Sequence, residues 1–199
     1  MPTYRLPGSP VALRPICVDD VDAVLEWVND PDVVRNFAGM AETITREQEL
    51  AYLQRMVASE VDRLYAVVDP DGRYLGNVGV HQIYWPARNG RLGLVLARHA
   101  HGRGYGTAAL RTICAVGFRV LQLHKLWLVH YADNARMAHL AGKLGFVREG
   151  VLRDEYHHRG TFHDMVRHSL LEGELAEVDG LVEVEPEGGR EEVGEHDRP

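Results

Sequence analysis

Three glycines at alternate positions, Gly102, Gly104 and Gly106, sit between an apolar run and a helical pattern. Upstream, Leu94, Val95 and Leu96 suit a buried strand. Downstream, Leu110, Ile113, Cys114, Gly117 and Leu121 recur at helical spacing, with Thr107 at the helix start. A glycine-rich turn from strand into helix aims several free backbone N–H groups at one spot. The helix dipole adds positive potential there, so the spot suits a phosphate or pyrophosphate. The spacing here is Gly-x-Gly-x-Gly, whereas the dinucleotide fingerprint needs Gly-x-Gly-x-x-Gly. The turn ends Tyr105-Gly106-Thr107, whereas the P-loop ends Gly-Lys-Ser/Thr. Both nucleotide readings fail on spacing. For proton transfer, a histidine suits work near neutral pH. Of the 11 histidines, His81 lies on the strand preceding the central one, and Tyr131 ends the strand that follows it, so these two are the candidate catalytic side chains. His157 and His158 are adjacent at a hairpin tip, where successive side chains point to opposite faces, so no metal site is expected.

The stretch His101-Gly102-Arg103-Gly104-Tyr105-Gly106 resembles the acetyl-CoA pyrophosphate loop of the GNAT acetyltransferases, Gln/Arg-x-x-Gly-x-Gly/Ala. His101 stands where that family usually has Gln or Arg. Asn134 opens a helix closing on Lys143-Leu144-Gly145-Phe146, which is similar to the family's second motif. The run Glu149 to Asp154, followed by Gly160 and His163-Asp164, is similar to the RimJ/RimL branch. The resemblance covers roughly residues 9 to 172. It implies an acetyl-CoA-dependent N-acetyltransferase that passes the acyl group directly to a primary amine, with no covalent enzyme intermediate. The acceptor would be a protein N-terminus, a polyamine, an amino sugar or another small amine. Two other readings stay open: a catalytically weak acyl-CoA-binding regulatory module, and a transferase of a larger acyl group such as succinyl.

By family position, the backbone of Leu94 and Leu96 would hold the acetyl and pantetheine groups. His101, Gly102, Arg103, Gly104, Tyr105, Gly106 and Thr107 would hold the pyrophosphate. Asn134 would contact the pantetheine arm or simply cap its helix, and Lys143 would pair with a CoA phosphate. Phe37 and Tyr84 are the expected acceptor contacts. Several helpful side chains of the family are missing. Asn89-Gly90-Arg91 offers no carboxylate base. Ala141 stands where many members carry a Tyr, and Met137 where others carry a Ser.

These groups must be positioned by ordinary elements. Val11 to Ile16 reads as a strand, and Asp19 as the cap of a helix running to about Val28. Asn29-Asp30-Pro31 breaks it, and Thr45 with Gln48 fits a capping box for a helix to about Ser59. Leu64 to Asp69 and Tyr74 to Ile83 form a hairpin around Pro70-Asp71-Gly72. Lys125 to Tyr131 is a further strand, and Met137, Leu140, Ala141 and Leu144 mark a helix capped by Asn134. Phe146 to about Glu155 and Thr161 to Leu170 make a final hairpin. The expectation is an α/β (α+β) fold of GNAT type: one mixed, twisted sheet of about six to seven strands with helices on both faces.

At 199 residues the chain is one domain by length. Cys17 and Cys114 form no disulfide framework. No apolar run reaches the roughly 18 residues of a membrane helix, and no signal pattern opens the chain. A cytoplasmic enzyme without metal is expected, with no nucleic-acid or membrane partner and with a homodimer allowed. The net charge of −7 is uneven: ten of the 29 acids and two of the 22 bases fall in 173–199. The remaining 19 acids and 20 bases leave the body near neutral, too weakly basic for a nucleic-acid binder. Residues 1–172 are therefore read as the acetyltransferase domain and 173–199 as an acidic tail, expected to stay mobile.

Overall fold

A computed structural model describes residues 1–35, 43–158, 160–175 and 180–184. Nine strands form one sheet: β1 Thr3–Arg5, β2 Ala12–Pro15, β3 Arg63–Val68, β4 Tyr74–Tyr84, β5 Asn89–Leu96, β6 Lys125–Tyr131, β7 Val147–His158, β8 Thr161–Leu171 and β9 Val182–Val184. Their order is β7-β8-β6-β5-β4-β3-β2-β1-β9. All neighbours are antiparallel except β5 and β6. That exception follows from the connection between them, which is long enough to hold a helix.

The helices are α1 Val21–Val28, α2 Pro31–Val34, α3 Arg46–Ala58, α4 Tyr105–Ala115 and α5 Ala135–Lys143. α4 and α5 cover one face of the sheet. Their Leu110, Ile113, Ala141 and Leu144 pack with Val78, Val80, Leu92, Leu126, Leu128 and Leu170. On the other face, α3 packs Leu53 and Met56 on Leu64 and Ala66, and α1 packs Val24 and Trp27 near Val95. The sheet therefore has helices on both faces, as expected, but it has nine strands where six to seven were expected. The additions are the three-residue β1 and β9, which are too short to show a period in the sequence.

β9 comes from the acidic segment after residue 172 and pairs with β1, Tyr4 opposite Glu183. Leu175 of the same segment is buried in the main core. The folded body therefore extends past residue 172, and β9 covers an edge that would otherwise expose unpaired backbone groups. At the start of the chain, the expected cap Asp19 yields to its neighbour. The Asp20 carboxylate accepts from the Cys17 N–H at 2.9 Å and pairs with Arg14 at 2.5 Å.

Candidate active site

β5 and β6 run side by side only briefly. Asn89, Gly90 and Arg91 face Lys125, Leu126 and Trp127, and there the pairing ends. Beyond that point β5 stays paired with β4 as far as Leu96, and β6 stays paired with β8 as far as Tyr131. The sheet thus splits between its two central strands. From Leu92 onward the β6-facing edge of β5 has no strand beside it among the described residues. Such an edge offers N–H and C=O groups to any extended amide chain that enters the split. Leu94 and Leu96 lie on it.

The glycine turn closes the wide end of the split. Gly102 and Gly104 have φ of +75° and +80°, the left-handed region that glycine adopts at no steric cost. Helix α4 starts two residues earlier than the sequence pattern implied, with Gly104 as its N-cap. The first backbone bond of the helix runs from Ala108 N–H to the Gly104 carbonyl, 3.1 Å. The amides of Tyr105, Gly106 and Thr107 therefore have no partner within the helix, and neither a capping side chain nor an acid occupies its first turn. A β-carbon placed on Gly106 would stand 3.6 Å from Leu96 and 3.7 Å from Leu94, so the turn abuts the free edge of β5.

His101 fixes the join. Its Nε2 lies 2.9 Å from the Leu96 carbonyl, and its Nδ1 lies 3.4 Å from Arg136 Nη1. Arginine can only donate, so Nδ1 accepts and Nε2 carries the proton to the carbonyl. Arg103 is exposed at the turn, and Lys143 is exposed at the far end of α5. The Asn134 side chain caps α5 by accepting from the Met137 N–H at 3.1 Å. An extended amide arm ending in a pyrophosphate fits these residues: a free strand edge for the amides, and an uncapped helix N-terminus for the phosphates.

On the α3 side of the sheet, the register lines up a second set. His81 is opposite Arg91, Arg91 is level with Trp127, and Trp127 is opposite Ser169. Directly paired residues share a face. The next pair inward is Gly79 with Gly93. The His81 ring lies across both. A β-carbon on Gly79 would stand 3.1 Å from its Nε2, and one on Gly93 would stand 3.2 Å away. The two glycines therefore make the room that lets the imidazole reach over the central strand.

Behind His81 stands Asp62, from the loop between α3 and β3. Its Oδ1 lies 3.2 Å from His81 Nδ1. It also accepts from the Ser59 hydroxyl at 2.7 Å and the Gln82 N–H at 3.1 Å. A carboxylate can only accept, so Nδ1 carries the proton and Nε2 presents its lone pair over Gly93. Burial lowers the His81 pKa against the pull of Asp62, with Arg91 adding to the lowering. Burial alone would raise the Asp62 carboxyl, but the bonds from Ser59 and Gln82 and the neighbouring His81 hold it below the usual range. The pair is a neutral imidazole backed by a carboxylate, the arrangement of a general base near neutral pH.

Tyr131 ends β6 on the other side of the split, four residues past Trp127. Its ring meets Tyr156 and His163 edge-on at 6.2 and 5.2 Å, and its buried hydroxyl has no hydrogen-bond partner among the described residues. Burial raises its pKa, so it stays protonated and able to donate. Tyr84 is 60% exposed at the end of β4, three residues past His81. Phe37 lies outside the described residues. Ala141 is fully buried and carries no group that could exchange a proton. Asp62, Ser59 and Arg91 were not identified as site residues by the sequence reading. Asp62 precedes His81 by 19 residues with no motif linking them, and only the strand pairing brings the two together.

Among the described residues no three metal-ligating side chains come together, and no helix is long and apolar enough to cross a membrane. Residues 11–147 match the family model of the acetyltransferase (GNAT) domain. A spermidine N(1)-acetyltransferase of Escherichia coli K12 is 29% identical over 163 residues, 81% of this chain and 86% of the relative. A putative ribosomal N-acetyltransferase of Bacillus subtilis, YdaF, is 30% identical over 104 residues, 52% of this chain and 57% of the relative. The solved spermidine N-acetyltransferase of Vibrio cholerae in complex with CoA and spermine superposes with a TM-score of 0.78. It covers 83% of this chain and 97% of that one at 21% identity, which speaks to the fold alone. The split and the glycine turn both fall inside the stretch that the family model matches, and the chain belongs to the GNAT acetyltransferase family.

Proposed function

We propose that this N-acetyltransferase acetylates the primary amine of a small molecule, with His81 as general base and Asp62 holding it in the productive tautomer. The observation that carries the reading is the placement of His81 Nε2 over Gly93, beside the free edge of β5. Acetyl-CoA, when bound, supplies an activated acyl carbonyl and a thiolate leaving group. The free edge of β5 and the amides of residues 105–107 would hold it, and Asn134 would add a contact to the pantetheine arm. The acceptor nitrogen bonds to the carbonyl carbon, the carbon–sulfur bond breaks, and His81 Nε2 takes the proton the nitrogen loses. A backbone N–H on the open edge of β5 serves the developing oxyanion. Tyr131, protonated and with its hydroxyl unbonded among the described residues, would give a hydrogen bond to the departing sulfur.

The spermidine acetyltransferases among the relatives bring polyamines into the acceptor panel beside amino acids, amino sugars and N-terminal peptides. The His81–Asp62 pair favours a working enzyme over a module that only binds acyl-CoA. His81→Ala should lower kcat about 10²- to 10⁴-fold, the usual worth of a general base, while CoA affinity by calorimetry stays within error. Asp62→Asn should follow with a smaller loss, since it disturbs the tautomer and leaves the ring in place. The acid limb of the wild-type kcat profile should lie below the ordinary histidine range near 6.5 and vanish in His81→Ala. A loss of kcat under about tenfold for His81→Ala, well below general-base catalysis, would remove His81 from the chemistry.

A further inference from the structure

We infer that the acceptor amine carries an anionic group, a carboxylate or a phosphate, and that Arg91 is the residue that binds it. The inference rests on the acetyltransferase reading and narrows its substrate.

Arg91 occupies the acceptor face between His81 on β4 and Trp127 on β6. The register sets Arg91 directly opposite His81, and its charge bears on both His81 and Tyr52 of α3. The side chain is half-buried, and its buried Nε has no hydrogen-bond partner among the described residues. Five arginines of the described structure have an acid beside them: Arg14 with Asp20, Arg46 with Asp22, Arg88 with Glu172, Arg98 with Asp32 and Arg167 with Glu149. No acid among the described residues does the same for Arg91. Arg5, toward the far edge of the sheet, shares the buried unbonded Nε of Arg91 but stands away from His81. A partly desolvated guanidinium left without a counter-charge is costly, and it is the natural partner of a bidentate oxyanion.

The surroundings point the same way. Asp62 is engaged by His81, Ser59 and Gln82. Glu149 is taken by Lys125 and Arg167, and Arg167 itself lies over the Trp127 ring at 4.1 Å. Burial pushes the Glu49 carboxyl of α3 up, toward its uncharged form. A polycation would meet Arg91 head-on and, among the described residues, find little free negative charge beside it. Nor does Arg91 serve the CoA phosphates. The glycine turn lies beyond Leu96, and five residues of strand separate Arg91 from Leu96 by about 16 Å. The amine at His81 and the anion at Arg91 would sit on neighbouring strands, which suits a compact amine with its acidic group a few bonds away.

The test pairs anionic amines with neutral counterparts: glycine with glycinamide, phosphoethanolamine with ethanolamine, and a longer amino acid with its amide, all against spermidine. In the wild type, kcat/KM for the anionic member of at least one pair should exceed its neutral counterpart by about 10- to 100-fold, the worth of a charge-assisted bond. Arg91→Gln should bring that ratio close to one, and Arg91→Lys should keep part of it, with CoA affinity unchanged in both. Retention of the graded Lys response distinguishes anion recognition from a general loss of fold, and a melting curve on each variant checks it directly. The inference is overturned if spermidine or the neutral members are preferred throughout, or if Arg91→Gln leaves the ratio untouched. In either case CoA binding and turnover would persist and the acetyltransferase reading would stand. Loss of that reading would show differently, as failure of the wild type to bind CoA.

Discussion

The glycine turn makes a quantitative distinction between two residues that look alike in the sequence. Gly104 has φ +80° and ψ −7° at the N-cap of α4, and a β-carbon there would meet nothing within 4 Å. Gly104→Ala therefore costs folding only the left-handed backbone, about 1–2 kcal/mol. In a chain of this length each kcal/mol lowers the melting temperature about 2–4 °C, so a drop of about 2–8 °C is expected. The empty space beside Gly104 is where a phosphate would approach the free amides of residues 105–107. Losing one charge-assisted bond there should weaken CoA binding about 10- to 100-fold. Gly106 is outside the left-handed region, and its β-carbon would rest at 3.6 to 4.0 Å from Leu96, Leu94 and Leu140, ordinary contact. Gly106→Ala should keep CoA affinity within about threefold, well short of losing such a bond. It should melt at the same temperature or higher, since Ala outranks Gly within a helix by up to about 1 kcal/mol. Calorimetry with CoA and a thermal melt on each variant suffice. Intact CoA affinity in a folded Gly104→Ala protein would refute the assignment of the turn to the pyrophosphate.

Truncation after Glu172 removes Leu175 from the core, the β9 pairing with β1, and the bond from Leu171 N–H to Glu174 at 2.8 Å. Burying one leucine is worth about 1.5–3 kcal/mol, so the truncated chain should melt several degrees lower while binding CoA normally; an unchanged melting temperature would mean the segment does not dock in solution. His81 also ties stability to pH. Its folded pKa is lowered, so between that value and the unfolded value near 6.5 the unfolded chain holds the extra proton. Its contribution is present above 6.5 and lost as pH falls through the folded value, with Asp62 and Arg91 the charged neighbours that act on it. Urea melts from pH 5 to 7 should show this slope, and His81→Gln should flatten it.

Local chemistry was legible in the chain. The Thr45 capping box forms, with the Thr45 N–H to Gln48 Oε1 at 2.8 Å. The Asn134 cap, the bounds of β6 and the glycine turn also sit where their residues put them, because each is settled by partners within a few positions. The donor side of the site belongs to this class, since a strand edge and a helix start are made by one continuous stretch. The acceptor side does not. His81 could be named but not weighed, because its partner Asp62 is brought to it by the return of β4 along β3. Arg91 read as a missing carboxylate, and only the pairing of three strands sets it beside the base, unmatched by any acid among the described residues. β1 and β9 pair across nearly the whole length of the chain, so no period within either could reveal them. Sequence determined the groups that act through their own neighbours, and the tertiary structure decided those whose chemistry depends on strand register.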